Sequence, residues 1–151
     1  MFQSIVVGTD GSATATEAVH RAYELAGLMS ADLHIVSAYR PPAVVLAATA
    51  EPGLTPSALV QWSAAAGDDV HRLLDSLAAE LCGPVTVTTH AVAGHPATAI
   101  LSVAEAVAAD LIVVGNRGMK GTRRVLGSIP NHVSHHAACN VLVVDTLAAV
   151  S

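Results

Sequence analysis

The most constraining feature of this sequence is a strand-like segment that runs directly into a glycine-rich turn. Leu111-Ile112-Val113-Val114 is a run of four apolar residues, three of them β-branched. Such a run predicts a strand that is buried on both faces of a sheet. Gly115-Asn116-Arg117-Gly118 follows it at once. Strands of this kind are typical of parallel sheets that carry helices on both faces, so this segment restricts the fold class.

The end of the same stretch predicts a helix start. Gly127-Ser128-Ile129-Pro130 places Ser128 at the N-cap of a helix and Pro130 in its first turn. Glycines let backbone N–H groups approach a ligand closely, and a helix start offers unpaired N–H groups and a positive dipole end. The strand, the turn and the helix start together indicate an anion-binding cradle, although an ordinary strand-to-helix turn would use glycine as well.

The glycine spacing excludes two familiar phosphate-binding motifs. A P-loop needs Gly-Lys-Ser/Thr after a four-residue gap from its first glycine, and the dinucleotide fingerprint needs a Gly-x-Gly. Gly115, Gly118 and Gly121 stand three residues apart, and neither pattern is present. Any phosphate site in this stretch therefore follows a different arrangement.

Strand-like and helix-like segments alternate along the whole chain. We predict five short strands, at residues 5–8, 33–39, 85–92, 111–114 and 140–145. Four amphipathic helices separate them, and crossovers of this length between short buried strands require a parallel sheet. The sequence therefore predicts one doubly wound, Rossmann-like α/β domain with a five-stranded parallel sheet and four helices over residues 1–146, followed by a tail at 147–151.

The second helix and the loop before it are the irregular part of this pattern. Thr55-Pro56 reads as the N-cap and first residue of a long helix whose apolar stripe includes Leu59 and Trp62. The loop at residues 40–56 carries four prolines and an apolar run. A long loop inside a compact domain is either a lid or contact surface, or a poorly ordered insertion, and the sequence leaves both open.

Composition and charge exclude several function classes. The chain has 151 residues and a formal net charge of −5 at pH 7, which argues against a general nucleic-acid binder. No apolar run approaches membrane-spanning length, and since Met1 leads straight into a predicted strand, we expect no signal peptide. Because Cys82 and Cys139 are isolated, we expect two buried thiols in a cytoplasmic protein with no membrane or nucleic-acid partner.

Two groups of polar side chains could carry further chemistry. His132, His135 and His136 fall on one helix face. No carboxylate or thiol is spaced to complete a metal site there, so we expect no metal ligands in this chain. Three basic residues between Gly118 and Gly127 either neutralise phosphate charge or form a solvated loop, and the acidic remainder of the chain favours the first interpretation.

The sequence contains no recognisable catalytic constellation. Ser12 and Ser128 stand at predicted helix starts, where a serine caps the helix more often than it acts as a nucleophile. No histidine has a sequence context that marks it as a general base. We therefore expect a protein that is not an enzyme, with slow nucleotide hydrolysis left open.

Several separate motifs together resemble the nucleotide-binding branch of the universal stress protein family. They occur in the family's order between Phe2 and Asp145. The motifs are Val7-Gly8-Thr9-Asp10-Gly11-Ser12, Gly94-His95-Pro96-Ala97-Thr98-Ala99-Ile100, Asp110-Leu111-Ile112-Val113-Val114-Gly115-Asn116-Arg117-Gly118, Leu126-Gly127-Ser128-Ile129-Pro130 and His136-Ala137-Ala138-Cys139-Asn140-Val141-Leu142-Val143-Val144. This number of blocks in the right order makes the resemblance specific.

The resemblance implies a sheet ordered 3-2-1-4-5 and a site for an adenine nucleotide. The first and fourth strands then flank the reversal of strand order, where ligands of such sheets bind. By the same resemblance Asp10 lies near the ribose, the backbone of Ala38 meets the adenine edge, and Gly115 passes beneath the ribose. The later glycines and serine would hold phosphate oxygens. The complete predicted binding set is Thr9, Asp10, Ala38, Gly115, Arg117, Gly118, Gly127 and Ser128.

The sequence departs from the family pattern at three places. Gly118 and Gly127 enclose eight residues instead of nine, Asn116 and Arg117 stand where small or imidazole side chains are frequent, and Asn140 replaces a usual proline. One residue spans at most about 3.3–3.6 Å, comparable to the spacing between adjacent phosphates. We therefore predict that cyclic AMP or AMP binds as well as ATP or better, and that Mg²⁺ is possible with ATP. Guanine nucleotides should bind poorly, because the guanine edge swaps the donor and acceptor that the backbone of the second strand would read.

The predicted function is that of a cytoplasmic stress protein that binds an adenine nucleotide and senses or buffers it as a homodimer. The last strand, Val141-Leu142-Val143-Val144, is apolar and lies at the predicted edge of the sheet. An exposed apolar edge associates unless it is covered, and pairing with a second copy covers it. The alternative is a dimeric protein-interaction module whose nucleotide site is vestigial.

Overall fold

The computed structural model describes residues 1–40, 56–116 and 127–146. The predicted 40–56 loop lies outside these residues, apart from its two ends, and so do the 147–151 tail and the glycine-rich turn beyond Asn116. The elements are β1 Ser4–Gly8, α1 Ala13–Met29, β2 Asp32–Tyr39, α2 Pro56–Glu80, β3 Val87–Ala93, α3 Pro96–Ala106, β4 Leu111–Gly115, α4 Ser128–His136 and β5 Asn140–Val144.

The five strands form one parallel sheet in the order β3-β2-β1-β4-β5. This confirms the predicted fold class and the predicted strand order. The chain builds β1, β2 and β3 outward in one direction, then returns to place β4 on the other side of β1. The strand order therefore reverses between β1 and β4, and a crevice opens where their carboxyl ends diverge.

Two apolar layers enclose the sheet, one on each face. On one face, Ile5 and Val7 of β1 pack with α1 residues such as Ala22 and with Leu74 of α2. On the other face, Val6 packs with residues of α3 and α4. Successive side chains of a strand point to opposite faces, so one short apolar strand can supply both cores. This explains why the uninterrupted apolar runs in the sequence form the central strands.

The helix starts next to the sheet are capped in different ways. Ser12 is the N-cap of α1, and its hydroxyl accepts a hydrogen bond from the Ala15 amide at 3.3 Å, as the sequence predicts. His95 is the N-cap of α3, and its Nδ1 accepts from the Ala97 amide at 3.3 Å. Pro96 occupies the first turn of α3, where its missing N–H costs nothing.

The predicted N-cap of α4 is wrong. Gly127 is the N-cap residue and Ser128 is the first residue of the helix, and among the described residues no side chain caps this helix. The physical reason lies in Pro130. An N-cap side chain bonds to the amide two or three residues later. A cap at Ser128 would place proline, which has no N–H, at the second position, and the third amide, of Asn131, donates to the Gly127 carbonyl.

The expectation that Trp62 is buried is also wrong. Trp62 is 67% exposed instead of lying in the packed stripe of α2. The 25 residues of α2 span about 38 Å, whereas the eight residues of β2 span about 26 Å. The first turns of α2 therefore extend past the sheet, and burial begins further along, at Gly67, and continues at Leu74 and Leu77.

The expectation that both thiols are buried is also wrong. Cys82 is exposed just beyond the end of α2, and Cys139 is half-buried between α4 and β5. Burial raises the pKa of the Cys139 thiol, and the nearby charge of Asp110 raises it further. The third strand also begins later than predicted, at Val87, because the chain bends at residues 83–85 before it pairs with β2.

Among the residues that the structure describes, none of the helices is both long and apolar enough to cross a membrane.

Candidate functional site

A crevice of about 160 Å³ lies at the carboxyl ends of β1, β2 and β4. It sits at the reversal of strand order, which is the usual ligand position in doubly wound sheets. Its described wall consists of Gly8, Thr9, Asp10, Thr14, Ala15, Val36, Ala38, Pro96, Ile100, Val114, Gly115 and Ile129. The wall is mostly apolar and carries few polar groups, a composition that suits a flat, partly apolar ligand.

A tight turn after β1 fixes the carboxylate of Asp10 at this crevice. The amide of Thr9 donates to the Val36 carbonyl at 2.9 Å, so pairing with β2 continues one residue past the strand. The Thr9 hydroxyl accepts from the Gly11 amide at 3.2 Å. One Asp10 oxygen accepts from the Ser12 amide at 3.0 Å. Asp10 is exposed, and a carboxylate held in this way can accept a hydrogen bond from a ligand hydroxyl.

Gly11 is required by the geometry of this turn. Its φ of +78° lies in the left-handed region, which side-chain-bearing residues rarely adopt. An added Cβ would also meet Leu73 of α2 at 3.0 Å. The glycine therefore allows the chain to turn sharply between the strand and α1 while Asp10 stays at the crevice.

Ala38 lies near the end of β2 and lines the crevice together with Val36. The strand is firmly held there, because the Gly94 amide donates to the Tyr39 carbonyl at 2.8 Å. Gly94 has a φ of +136°, which lets the chain turn from β3 into the cap of α3. The end of β2 is thus a rigid backbone edge next to an apolar wall.

Gly115 ends β4 and forms the opposite side of the crevice. A Cβ added here would lie 3.4 Å from Thr146 Cγ2 and 3.6 Å from both Ala18 Cβ and the Thr14 carbonyl oxygen. These are ordinary contact distances, so packing within the described residues does not itself require glycine. The added methyl group would point toward α1 and the end of β5.

Asn116 fixes the direction in which the chain leaves β4. It is 4% exposed, and its Oδ1 accepts from the amide of Thr146 at 3.1 Å and from the Thr146 hydroxyl at 3.0 Å. Its Nδ2 donates to Asp145 at 2.9 Å, and its own amide donates to the Val144 carbonyl at 3.0 Å. The start of the glycine-rich turn is therefore bound to the chain that leaves the edge strand.

The first turn of α4 reaches the crevice through Ile129, which forms part of its wall. Gly127 is extended, with φ −56° and ψ 161°, and the Asn131 amide returns to its carbonyl at 3.0 Å. Ser128 is exposed beside Ile129. A helix start without a side-chain cap offers the amides of its first residues and a positive dipole end to an anion.

The predicted site residues divide into three groups. Four of them, Thr9, Asp10, Ala38 and Gly115, lie together on the wall of the crevice. Gly127 and Ser128 directly precede Ile129, whose side chain lines it. Arg117 and Gly118 lie outside the described residues, as do the basic residues Lys120, Arg123 and Arg124.

The sequence analysis missed the apolar part of the wall. Pro96 and Ile100 come from α3, and Ile129 comes from α4. The available signal was their position, since each lies in the first two turns of a helix that follows the carboxyl end of a strand. Only the packing of the helices shows that these side chains line the same crevice.

A second, larger groove of about 600 Å³ runs past α3 to the residues before β4 and β5. Its wall includes Glu105, Ala109 and Cys139. It lies at the amino ends of these strands, opposite to the position where doubly wound sheets bind ligands. Its greater volume therefore does not make it the better candidate for the nucleotide.

The histidines predicted to share a face of α4 lie near one another without enclosing a metal position. The rings of His132 and His136 stack with centroids 4.2 Å apart, and His95 lies 6.4 Å from His132. Within the described residues, no three His, Cys, Asp or Glu side chains are arranged to hold a metal ion.

A model of the universal stress protein family matches residues 1–145 of this chain. Universal stress protein Rv1636 of Mycobacterium tuberculosis (strain ATCC 25618 / H37Rv) is 36% identical over 146 residues, which cover 96% of this chain and 97% of the relative.

Two solved structures extend the comparison to three dimensions. One is the crystal structure of a universal stress protein in complex with cAMP, which is 31% identical with a TM-score of 0.71 and covers 96% of this chain and 98% of that one. The other is a protein of the family from Burkholderia pseudomallei, 29% identical with a TM-score of 0.70, and the match covers 94% of this chain and 95% of that chain.

Proposed function

The chain belongs to the universal stress protein family, and from this premise we propose that its crevice binds an adenine nucleotide. The observation that carries the proposal is the gathering of Asp10, Ala38 and Gly115 at the reversal of strand order, beside the start of α4. A family relative that is 31% identical over almost its whole length was crystallised with cAMP, and this supports the same ligand class here.

Each part of the nucleotide has a matching part of the site. The base packs against the apolar wall of Val36, Ile100 and Ile129. The ribose lies at Asp10, whose carboxylate accepts from a hydroxyl. The phosphate lies at the start of α4, where the first amides and the Ser128 hydroxyl are hydrogen-bond donors. Arg117 and Gly118 complete the phosphate contacts in this proposal.

The backbone near Ala38 distinguishes adenine from guanine. A strand end offers a fixed pattern of N–H donors and carbonyl acceptors, and the two purines present opposite patterns at the edge that it would read. Guanine therefore leaves buried polar groups unpaired in this site, which costs more than the loss of a hydrogen bond alone. We expect guanine nucleotides to bind at least about tenfold more weakly than adenine nucleotides.

The number of phosphates follows from the length of the phosphate loop. Gly118 and Gly127 enclose eight residues, one fewer than the family pattern, so less chain is available to wrap a β- and γ-phosphate. AMP or cyclic AMP should bind as well as ATP or better, and Mg²⁺ would accompany only ATP. A competition titration tests this, because displacement of cyclic AMP by ATP at a much lower concentration than the reverse would contradict it.

Calorimetric titration tests the proposed function directly. Purified protein is titrated with AMP, cyclic AMP, ATP and GMP under identical conditions, and the proposal expects one adenine nucleotide per chain. Because a tightly bound nucleotide would block the site, a separate sample of the protein is first denatured by heat, and the supernatant is examined for released nucleotide by chromatography. Absence of bound nucleotide together with absence of heat on titration would reject the proposal.

We also propose that the protein is a homodimer joined through β5. This strand is at the edge of the sheet and Leu142 is 42% exposed. The amide of Asn140 donates to the Asp110 carbonyl, and the Val144 carbonyl accepts from Asn116, so these peptide groups face inward, toward the β4 side. Since peptide groups alternate in direction along a strand, the groups of Val141 and Val143 face outward and are available to a second copy.

A proline substitution tests the dimer without breaking the sheet. Val143→Pro removes an outward-facing N–H donor, which an edge strand tolerates. Leu142→Pro removes an inward-facing N–H donor and serves as the matched control for a proline that weakens the pairing with β4 itself. The proposal expects wild-type dimer and Val143→Pro monomer in sedimentation, both with native circular dichroism. A stable wild-type monomer at micromolar concentration would contradict it.

In this proposal the protein acts in the cytoplasm as a nucleotide sensor or buffer and not as an enzyme, although slow ATP hydrolysis is compatible with it. The exposed edge strand favours one alternative, a dimeric interaction module whose crevice is vestigial. The two functions differ in one measurable respect. The interaction module would dimerise without binding any adenine nucleotide, whereas the sensor requires both properties.

A further inference from the structure

Two histidines from neighbouring strands meet on the sheet face that α3 and α4 cover. His34 lies in β2 and His90 in β3, and in the register of these strands His34 pairs with Thr88 while Val36 pairs with His90. The two histidines are therefore diagonal neighbours on one face. His34 Nδ1 and His90 Nε2 are 3.1 Å apart, and the ring centroids are 5.3 Å apart.

The separation of the two nitrogens matches that of two ligands on one metal ion. Metal–nitrogen bonds to imidazole are about 2.0–2.1 Å long, so neighbouring ligands of a square or tetrahedral ion lie roughly 2.8–3.4 Å apart. The observed 3.1 Å falls within this range. In the metal-free structure one of these nitrogens donates its N–H to the lone pair of the other. A metal ion would take the place of this proton, because the donor ring can carry its N–H on its other nitrogen and turn a lone pair toward the ion.

The surroundings keep both rings suitable as ligands. Each ring is half-buried, and burial is the main cause that lowers the pKa of both histidines. A charge on His34 would lower the pKa of His90 further, whereas the exposed carboxylate of Asp32 partly opposes the shift at His34. Imidazole binds a metal ion in its neutral form, which the lowered pKa values favour. The nearby carboxylate of Asp32 attracts a positively charged metal ion.

We propose that His34 and His90 form a binding site for a divalent transition metal of the Zn²⁺, Ni²⁺ and Cu²⁺ class. Because no group of three or more ligand side chains gathers within the described residues, water completes the coordination. The site joins the edge strand β3 to its inner neighbour β2. Metal binding would therefore stabilise that edge of the sheet, independently of the nucleotide crevice.

His71 and His136 provide controls, because each has its Nδ1 bonded to a backbone carbonyl and keeps only Nε2 as a possible metal ligand. His71 Nδ1 bonds to the Gly67 carbonyl at 2.8 Å, and His136 Nδ1 bonds to the His132 carbonyl at 2.8 Å. His132 and His136 lie one helical turn apart with stacked rings. Helical histidines with this spacing can also bind metal, so this pair is the most demanding control for the site on the sheet.

The test is a calorimetric titration of the full untagged chain with Ni²⁺, which does not oxidise the free thiols. His34→Gln and His90→Gln should each weaken binding at least about tenfold, while the double variant His132→Gln/His136→Gln retains wild-type affinity. Circular dichroism confirms that the variants fold. Unchanged Ni²⁺ affinity in both sheet variants would overturn the proposal.

Nuclear magnetic resonance locates the metal without any substitution. Paramagnetic Ni²⁺ should broaden the ring signals of His34 and His90 first, at the lowest metal concentrations. Broadening that begins at His132 and His136 instead would place the metal on α4 and overturn the proposal. Either result is independent of whether the protein binds an adenine nucleotide.

Discussion

Replacement of Asp10 by asparagine separates the nucleotide-binding role of this residue from its structural role. One carboxylate oxygen accepts the Ser12 amide at 3.0 Å and so supports the start of α1. Asparagine keeps an oxygen acceptor for this bond and has nearly the same size. What it loses is the negative charge and the second acceptor, which is replaced by an NH₂ donor. The turn should survive while the hydroxyl acceptor is lost.

The expected loss of affinity follows from the strength of a charged hydrogen bond. Hydrogen bonds to charged groups contribute about 1.5–3 kcal/mol and neutral ones about 0.5–1.5 kcal/mol. Asp10 is exposed in the unliganded structure, so the lower part of the range applies. Because asparagine offers the hydroxyl no second acceptor, the loss is that of the charged bond itself, roughly 1.5 kcal/mol, which corresponds to approximately tenfold weaker binding of AMP.

A double-mutant cycle with the ligand provides the decisive assay. AMP and 2′,3′-dideoxy-AMP are titrated calorimetrically into the wild type and into Asp10→Asn. We expect the substitution to weaken AMP binding while hardly changing the binding of the dideoxy compound, and the thermal unfolding temperature should stay the same. Equal losses for both ligands would refute the role of Asp10 as a ribose acceptor.

Three further predictions concern other parts of the molecule. The folded-state pKa values of His34 and His90 lie below the ordinary 6.5, so the unfolded chain binds more protons and the free energy of unfolding should fall as pH drops through 6.5. In urea titrations, His34→Gln or His90→Gln should make the free energy of unfolding depend less on pH, and an unchanged pH dependence would contradict this. Asn116→Ala leaves buried donors without an acceptor and should lower the unfolding free energy by about 2–3 kcal/mol, and a loss below about 0.5 kcal/mol in urea denaturation would count against this network. Because its pKa is raised and it is half-buried, Cys139 should react with iodoacetamide more slowly than the exposed Cys82, and mass spectrometry of the alkylated peptides would reveal the opposite order.

The fold follows from the sequence because its signals are local. Each central strand is a short apolar run next to a turn, as in Leu111-Ile112-Val113-Val114 and Gly115, and each crossover is a helix with a visible apolar stripe. Alternation along such strands fills both cores. The position of Asp10 and Gly115 at the crevice was predictable for the same reason, since Asp10 comes two residues after β1, Gly115 is the last residue of β4, and the carboxyl ends of these strands meet at one edge.

What the sequence could not reveal depends on distances between elements. Trp62 fits the stripe of its helix, but its exposure depends on how far α2 extends past the sheet. His34 and His90 are separated by 56 positions, and they meet only because β2 and β3 pair in one register. Ile100 and Ile129 enter the crevice wall through the packing of α3 and α4. Periodicity within one element contains no information about these contacts.

The cap of α4 shows how a local motif can be read one residue too late. Serine is a frequent N-cap, and Gly127-Ser128 suggested that Ser128 has this position. The proline two residues further on removes one of the two amides that a cap at Ser128 could bind, and the other, the amide of Asn131, donates to the Gly127 carbonyl instead. With Gly127 as N-cap, the helix start keeps its amides for a ligand instead of a side chain.

The most direct test of the central claim is an amide chemical-shift map of the protein titrated with AMP, with GMP as the matched control. We expect the largest AMP-induced shifts at Thr9, Asp10, Ala38, Gly115 and the first residues of α4, with much smaller shifts at equal GMP concentration. Shifts centred on the groove beside Glu105 and Cys139, or no saturable shifts with AMP, would contradict the assignment of the nucleotide site to this crevice.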